Sequence, residues 1–318
     1  MDTPPTVDGR RAYFGGADGC VYCLRLSDGQ LVWRFRGAPR DRLVGAFGGI
    51  ESAWPVHGSV LVRDGVVYFT AGRSSYLDGG IFAYALDVQT GNVISQQRIS
   101  TPNDEVVNTG RVQTDDTGLL SDVLVGHGES IYMRRQRLFS TGGEEGSGPL
   151  RSTAGLLDDS WFSRTRWHVD DRPRAEYCVF DAETLYGVAA RDAMSSNGGL
   201  FTPGARGYEL FAADRKAAGA ARKKKPPARR WSLRTPVRIS SMVVAGKTLF
   251  AGGSPDVIDR VDPWAAYEGR NGGRLLALSA EEGEILAEFS LATPPVLDGI
   301  TASGGRLLVA TIGGKVLC

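Results

Sequence analysis

The chain has 318 residues, with 37 Lys and Arg against 36 Asp and Glu and a formal net charge of +1. That length can bury a sizeable core, and the near-neutral balance gives no whole-molecule field that selects nucleic acid or membrane. A hydrophobic share of 42% and a charged share of 23% exclude collagen, general disorder and a disulfide miniprotein, while the 42 glycines are nearly twice the usual share of about 7%.

The opening, Met1-Asp2-Thr3-Pro4-Pro5, has no basic-then-apolar segment, so no secretory signal is expected. No apolar stretch approaches the roughly 18 residues of a membrane helix. The first structured segment is a repeat unit. It runs Arg11-Ala12-Tyr13-Phe14-Gly15-Gly16, then Cys20 to Leu26, the turn Ser27-Asp28-Gly29-Gln30, and Leu31-Val32-Trp33-Arg34-Phe35. A second unit runs from Val66 to Gly72, through an eight-residue insertion to Ile81–Leu86, the turn Asp87-Val88-Gln89-Thr90-Gly91, and Val93-Ile94-Ser95. The middle is more eroded. Asp122 to Val125 and Ser130 to Arg134 predict two strands whose partners are hard to place between Arg135 and Val169. Tyr177 to Asp181, Thr184 to Ala189, Tyr208 to Ala213 and Arg230 to Leu233 predict the four strands of the next unit. A further unit runs Thr248 to Gly253, a long insertion, Gly273 to Leu278, the turn Ser279 to Glu284, and Ile285 to Phe289. The last begins at Arg306 and stops in Gly314 to Cys318.

Further strands precede these units at Ser59 to Arg63, Ile239 to Val244 and Gly299 to Ser303. Each unit is therefore a four-stranded antiparallel meander, its strands here called A to D. The tight turn between C and D carries the hairpin signature Asp-x-x-Thr-Gly or Ser-Asp-Gly. Short strands at regular spacing with almost no helical periodicity predict an all-β β-propeller. About six blades are countable, the last without its D strand, compatible with a seven- or eight-bladed parent and with missing N-terminal blades. The whole of 1–318 reads as one propeller domain.

The repeat resembles the pyrroloquinoline-quinone (PQQ)-like β-propeller repeat of large bacterial propeller proteins. Phe14-Gly15-Gly16, Asp28-Gly29 and Trp33-Arg34-Phe35 carry the resemblance best. Leu86-Asp87-x-x-Thr90-Gly91 follows it with Ile94 in place of the tryptophan, and Leu278 to Phe289 follows it more loosely. The resemblance implies that Trp33 and Trp231 pack against a neighbouring blade, as suits large flat side chains. It also implies a family often exported to the periplasm or envelope. Quinoprotein dehydrogenases of this fold hold their cofactor with an adjacent cysteine pair, a calcium ion and an aspartate base. Here the cysteines are Cys20, Cys23, Cys178 and Cys318, none adjacent. Neither PQQ nor calcium is expected, and all four thiols read as packing residues.

In a propeller the D-to-A and B-to-C loops emerge on one face. The insertions Ala38 to Gly58, Arg73 to Gly80, Arg191 to Gly207 and Ser254 to Gly272 all belong to those classes and predict a binding face at the channel mouth. They hold Glu51, Trp54, His57, Arg73, Tyr76, Asp78, Asp256, Asp259, Arg260, Asp262, Trp264 and Tyr267. Aromatics beside acids and arginines suit a polar or carbohydrate-like ligand or a protein; the same residues also suit a structural role, tying long loops together. Asp159, Trp161 and Arg164 form a second dense segment, read either as pocket residues or as a plug for the eroded blade. His57, His127 and His168 lack two-histidine metal spacing, and no Gly-x-Ser-x-Gly elbow appears, so no metal is expected.

Arg215 to Arg230 holds eight bases and no acid; taking these from the 37 bases leaves 29 against 36 acids. Without interleaved aromatics this run reads as a solvated flexible loop, not a nucleic-acid surface. The expected function is a non-catalytic binding or scaffold module recognising a protein or polar ligand. The alternative is an enzyme, a quinoprotein-like dehydrogenase or a hydrolase or lyase, using acids and His57 at the central pocket.

Overall fold

A computed structural model describes residues 3–46, 48–100, 119–134, 136–140, 150–152, 167–169, 172–190, 207–215 and 229–318. All elements among these residues are β-strands, and the chain divides into two compact units, Met1–Thr165 and Arg166–Cys318.

In the N-terminal unit the first sheet takes β1 (Thr6–Asp8), β2 (Arg11–Gly15), β3 (Cys20–Arg25) and β4 (Leu31–Arg36) in sequence order. A two-stranded hairpin follows, β5 (Leu43–Ala46) with β6 (Gly49–Ser52). The second four-stranded sheet is β7 (Leu61–Arg63), β8 (Val66–Ala71), β9 (Ile81–Asp87) and β10 (Val93–Ile99). A three-stranded sheet, β11 (Leu124–His127), β12 (Ser130–Met133) and β13 (Gln136–Ser140), precedes the short strand β14 (Leu150–Ser152). The C-terminal unit opens with the paired strands β15 (Trp167–Val169) and β16 (Arg172–Ala175). Next come β17 (Tyr177–Phe180), β18 (Thr184–Ala190), β19 (Tyr208–Asp214) and β20 (Arg229–Thr235). The following sheet is β21 (Val237–Ala245), β22 (Thr248–Pro255), β23 (Gly273–Ser279) and β24 (Ile285–Leu291). The last is β25 (Pro295–Ser303), β26 (Arg306–Thr311) and β27 (Val316–Leu317).

Four sheets are thus antiparallel four-stranded meanders, the blade unit of β-propellers, as the repeat predicts. The D-to-A connection expected as loop contains the hairpin β5–β6. The strands expected at Ile239 and Gly299 begin at Val237 and Pro295, each lengthened across a bulge that sequence alternation hides.

One contact recurs between consecutive blades. Trp33 on β4 donates its indole N–H to Val88 O at 3.2 Å. Its ring lies against Gly91, where a Cβ would come within 2.8 Å of the indole. Trp231 on β20 repeats this with Ala280 O at 3.0 Å and Gly283, where a Cβ would come within 2.5 Å. In both cases the accepting carbonyl lies three residues before the glycine. Gly91 and Gly283 have φ values of +72° and +74°, so glycine meets both the turn geometry and the ring's approach. Tyr13 and Tyr186 flank the two indoles at 5.8 and 6.2 Å between ring centroids. Around these contacts lie the two main cores, one with Val21, Val67, Phe69 and Leu86, the other with Leu210, Met242, Leu249 and Leu278.

The register corrects one sequence assignment. Each C–D pair carries a bulge one residue before the indole position, with Trp33 opposite Cys23 and Trp231 opposite Ala212. In β10 the bulged residue is the exposed Ile94, and the residue at the tryptophan's place is Ser95, opposite Ala85. In β24 it is Ala287, opposite Ala277. The bulge adds one residue that turns outward, so Ile94 stands where Val32 stands. The thiols also divide: Cys20, Cys23 and Cys178 are buried, as expected of packing residues, whereas Cys318 is exposed.

The first strands of consecutive sheets in the C-terminal unit are pinned by side chains. Ser241 Oγ accepts from Ile300 N at 2.8 Å. Tyr177 on β17 donates its hydroxyl to Asp298 on β25, reaching past the intervening blade. Asp298 holds a left-handed φ of +58° inside the register shift of β25, a strained conformation for a residue other than glycine. Burial pushes its carboxyl above the ordinary carboxylate value, and burial together with Asp298 pushes the Tyr177 phenol well above its own.

Trp33→Ala and Trp231→Ala are each expected to cost about 3–5 kcal/mol, read by urea denaturation; a loss below about 1 kcal/mol would show that the indoles are peripheral. Asp298 gives a pH signature. The fold holds its proton more tightly than the unfolded chain does. Its contribution is therefore fully present below the unfolded value of about 4 and declines as pH rises through the raised folded value. Asp298→Asn should flatten that decline in a stability-against-pH series, and a variant profile parallel to the wild type would contradict the assignment.

Candidate functional site

The predicted site residues of the N-terminal unit sit on two connections, 37–60 before β7 and 72–80 between β8 and β9. Backbone bonds tie the first connection to the first blade: Ser52 N donates to Ala17 O at 2.8 Å and Val56 N to Gly16 O at 3.0 Å. Gly72 N donates to Pro55 O at 2.9 Å, joining the two connections. Trp54 is buried and donates its indole N–H to Asp78 O at 3.0 Å, while Asp78 Oδ1 accepts from Arg42 Nη1 at 2.8 Å. Tyr76 N donates to Ser74 Oγ at 3.2 Å, closing the turn beneath them.

Within this frame three predicted residues meet directly. His57 Nε2 lies 3.0 Å from Glu51 Oε2, and both side chains are buried. Arg73 Nε stands 3.3 Å from Glu51 Oε1. That contact is an ion pair without hydrogen-bond alignment, since Arg73 Nε and Nη2 and Glu51 Oε1 are buried with no hydrogen-bond partner among the described residues. The carboxylate–imidazole spacing suits acid–base chemistry, but Glu51 is committed to two cationic-capable neighbours and is shielded from solvent. The arrangement braces the 37–60 connection against the 72–80 loop. Sequence reading missed a second buried pair nearby, Arg134 Nε to Asp122 Oδ2 at 2.8 Å, with Asp122 fully buried. Its two residues flank the open end of the β11–β12 hairpin, whose register, with Leu124 opposite Met133, brings them together.

In the C-terminal unit Asp259 and Trp264 share the insertion between β22 and β23. Asp259 Oδ1 accepts from Val261 N at 2.7 Å and Asp262 N at 3.2 Å, and these backbone donors hold its carboxyl below the ordinary value. Arg270 grips Asp262 with Nη2 at 2.7 Å from each carboxylate oxygen, and also bonds Glu268. Tyr267 lies under the Arg238 guanidinium at 4.6 Å and edge-on to Trp264 at 6.1 Å. The loop is thus internally folded, yet it turns Val257, Ile258, Val261 and Trp264 outward, with Val261 94% exposed. Asp256 at its base is buried.

Asp159, Trp161 and Arg164 lie outside the described residues, as do 191–206 and positions 216–228 of the basic run. Among the described residues no group of three or more His, Cys, Asp or Glu side chains could hold a metal ion, and no helix is long and apolar enough to cross a membrane. The donor set also fits a PQQ site poorly: Cys20 and Cys23 are free, buried packing residues and no cysteines are adjacent.

The repeat geometry agrees with the comparisons with known proteins. A family described as outer membrane protein assembly factor BamB matches residues 1–137. Residues 1–137 carry PQQ-like propeller repeats. A Yersinia pestis protein named outer membrane protein assembly factor BamB is 29% identical over 115 residues, 36% of this chain and 26% of its own length. The match therefore spans about a quarter of that relative. Among solved structures, BamB from Moraxella catarrhalis aligns at 15% identity and a TM-score of 0.36, covering 98% of this chain and 67% of its own. A quinohemoprotein alcohol dehydrogenase from Pseudomonas putida aligns at 13% identity and a TM-score of 0.42, covering 96% and 61%.

Removing the Glu51 carboxylate by Glu51→Ala strands Arg73 beside His57. The expected cost is about 3 kcal/mol, measured by chemical denaturation and little changed by salt because the group is buried; a loss that vanishes in high salt would place Glu51 at the surface.

Proposed function

We propose that this chain is a non-catalytic binding module that recognises a protein at the bacterial envelope. One observation carries the reading: the 256–264 loop is stiffened by its own hydrogen bonds and the Asp262–Arg270 pair, yet presents four apolar side chains to solvent. A loop ordered in advance loses little entropy on association, so exposed Val261 and Trp264 are suited to act as anchors. A carbohydrate would call for convergent polar groups beside the aromatic, but Asp262 and Glu268 are paired with Arg270 and Asp259 Oδ1 holds the loop's own backbone N–H groups. On the N-terminal unit the hairpin β5–β6 likewise exposes Leu43 and Ile50 while its base is tied down. The match to a family named for outer membrane protein assembly supports a protein partner and an envelope location. The buried Glu51–His57 pair is assigned to bracing the loops, which favours binding over an enzymatic role.

A photoreactive amino acid at Val261, with Lys247 as a control site, tests the proposal in the native host. A discrete protein adduct is expected at Val261 and absent at Lys247. Trp264→Ala should abolish it while shifting stability by no more than about 0.5 kcal/mol, as is usual for surface changes. Equal adducts at both sites, or none at Val261, would overturn the reading.

A further inference from the structure

The hairpin β5–β6 is a separate two-stranded sheet inserted ahead of the second blade. Its register sets Leu43 opposite Ser52, Val44 opposite Glu51, Gly45 opposite Ile50 and Ala46 opposite Gly49. Ala53 N donates to Arg42 O at 2.8 Å, which fixes the phase of the ladder. Bonded and non-bonded pairs alternate in an antiparallel ladder. Val44 and Ala46 therefore turn their backbone groups toward β6, while Leu43 and Gly45 turn theirs away from it. Ser52, in phase with Leu43, likewise donates its N–H away from its partner strand, to Ala17 O at 2.8 Å. On the β5 side no strand pairs with the hairpin among the described residues. Its two faces differ as well. Val44 packs on the core of the N-terminal unit and Glu51 is buried. On the opposite face Leu43 is 63% and Ile50 78% exposed, and a Cβ on Gly45 would meet nothing within 4 Å. Open edges are usually guarded by charge. The outer strands of the four complete blades follow that rule, with Arg34 in β4, Arg98 in β10, Arg234 in β20 and Glu288 in β24. The edge strand β5, Leu43-Val44-Gly45-Ala46, has neither a charge nor a proline.

We infer that β5 is a self-complementary edge on which a second copy of this chain pairs, antiparallel about a two-fold axis at Val44. In that register Leu43 of one copy stands opposite Gly45 of the other, and their outward N–H and C=O groups bond each other. The axis repeats the pair with the roles exchanged. A two-fold contact needs a surface that is its own complement. Leu43 supplies the projection and Gly45, two residues on along the same face, supplies the hollow. Each Leu43 then covers the bare glycine of the other copy and lies beside that copy's Ile50, which stands opposite the glycine. The edge is held ready for pairing, because Arg42 is paired with Asp78 at 2.8 Å and Ser52 is bonded to the first blade. A net charge of +1 puts little long-range repulsion between copies. This surface uses no residue of the 256–264 loop and does not rest on the function proposed for it.

The test is sedimentation velocity on the full chain across a concentration series. So small an interface is weak, and reversible monomer–dimer exchange is expected with half-association near about 0.1 mM. Gly45 has no left-handed φ and its N–H points outward, so a proline there suits an edge strand. Gly45→Pro deletes the edge donor and should weaken dimerisation by roughly tenfold or more. Leu43→Lys, which puts a charge on the edge, should do the same. Ile94→Lys, at an exposed position of β10, should leave the dimer unchanged. All three variants should melt within a few degrees of the wild type; if Gly45→Pro unfolds the hairpin, Leu43→Lys decides alone. The register is read with Leu43→Cys and Gly45→Cys chains, each also carrying Cys318→Ser because Cys318 is exposed. The Cα separation of about 5.5 Å in a bonded pair suits a disulfide, so the mixture should crosslink faster than either chain alone. The inference fails if the chain stays monomeric at about 0.5 mM, if the dimer survives both edge variants, or if Ile94→Lys disperses it equally. It fails as well if either cysteine chain crosslinks alone as fast as the mixture.

Discussion

An indole lying on a glycine, with its N–H on the carbonyl three residues earlier, is the constraint on which the blade packing depends. A four-stranded meander has one face's worth of apolar side chains and cannot bury them alone. Consecutive sheets solve this by facing each other, and the tryptophan fixes how they meet. Its ring supplies area at a blade boundary where aliphatic side chains are short, and its N–H supplies direction. Gly91 and Gly283 accept the ring because they have no Cβ. Where Ser95 and Ala287 replace the tryptophan, the boundary must rely on the other core residues, such as Leu124, Ile131 and Met133 in one case and Leu275, Ile300 and Val309 in the other.

On this frame many charged side chains of the insertions are paired with one another, buried at Glu51 and at the surface at Arg270, while several apolar side chains face solvent. Glu51 meets both His57 and Arg73 where two connections cross, and Asp122 pairs with Arg134. Arg270 consumes Asp262 and Glu268 in the 256–272 insertion. Among the exposed apolar side chains of the insertions are Val257, Ile258, Val261 and Trp264 on one unit and Leu43, Ile50 and Leu77 on the other. Glu51, His57 and Arg73, whose types suggest a polar pocket, thus meet one another in the interior, and aliphatic and aromatic side chains stand at the surface of the insertions.

The sequence carries the fold almost completely. Alternating apolar residues, hairpin turns with glycine and the spacing of Trp33 and Trp231 specify local geometry, so they can be read locally. Positions set by bulges cannot. The residue equivalent to Trp33 in the second unit is Ser95, because Ile94 occupies the outward bulge. The candidate site was legible in its parts and not in their roles. Glu51, His57 and Arg73 were recognisable as chemistry-bearing, and they do meet, but Glu51 lies on the hairpin β5–β6, whose apolar side chains Leu43 and Ile50 point to solvent against the usual pattern. Asp122 and Arg134 end two strands predicted as neighbours, so their meeting was legible though the burial of Asp122 was not, and Tyr177 with Asp298 across 121 positions had no sequence signal, since nothing local distinguishes a buried acid from an exposed one.

Hydrogen exchange of the tryptophan indole N–H protons tests the central contact most directly. Trp33 and Trp231 are each predicted to exchange only through opening of the blade boundary, far more slowly than Trp264, whose ring stands half exposed. If Trp33 and Trp231 exchange as fast as Trp264, the indoles do not hold the blades together and the account of the fold is wrong.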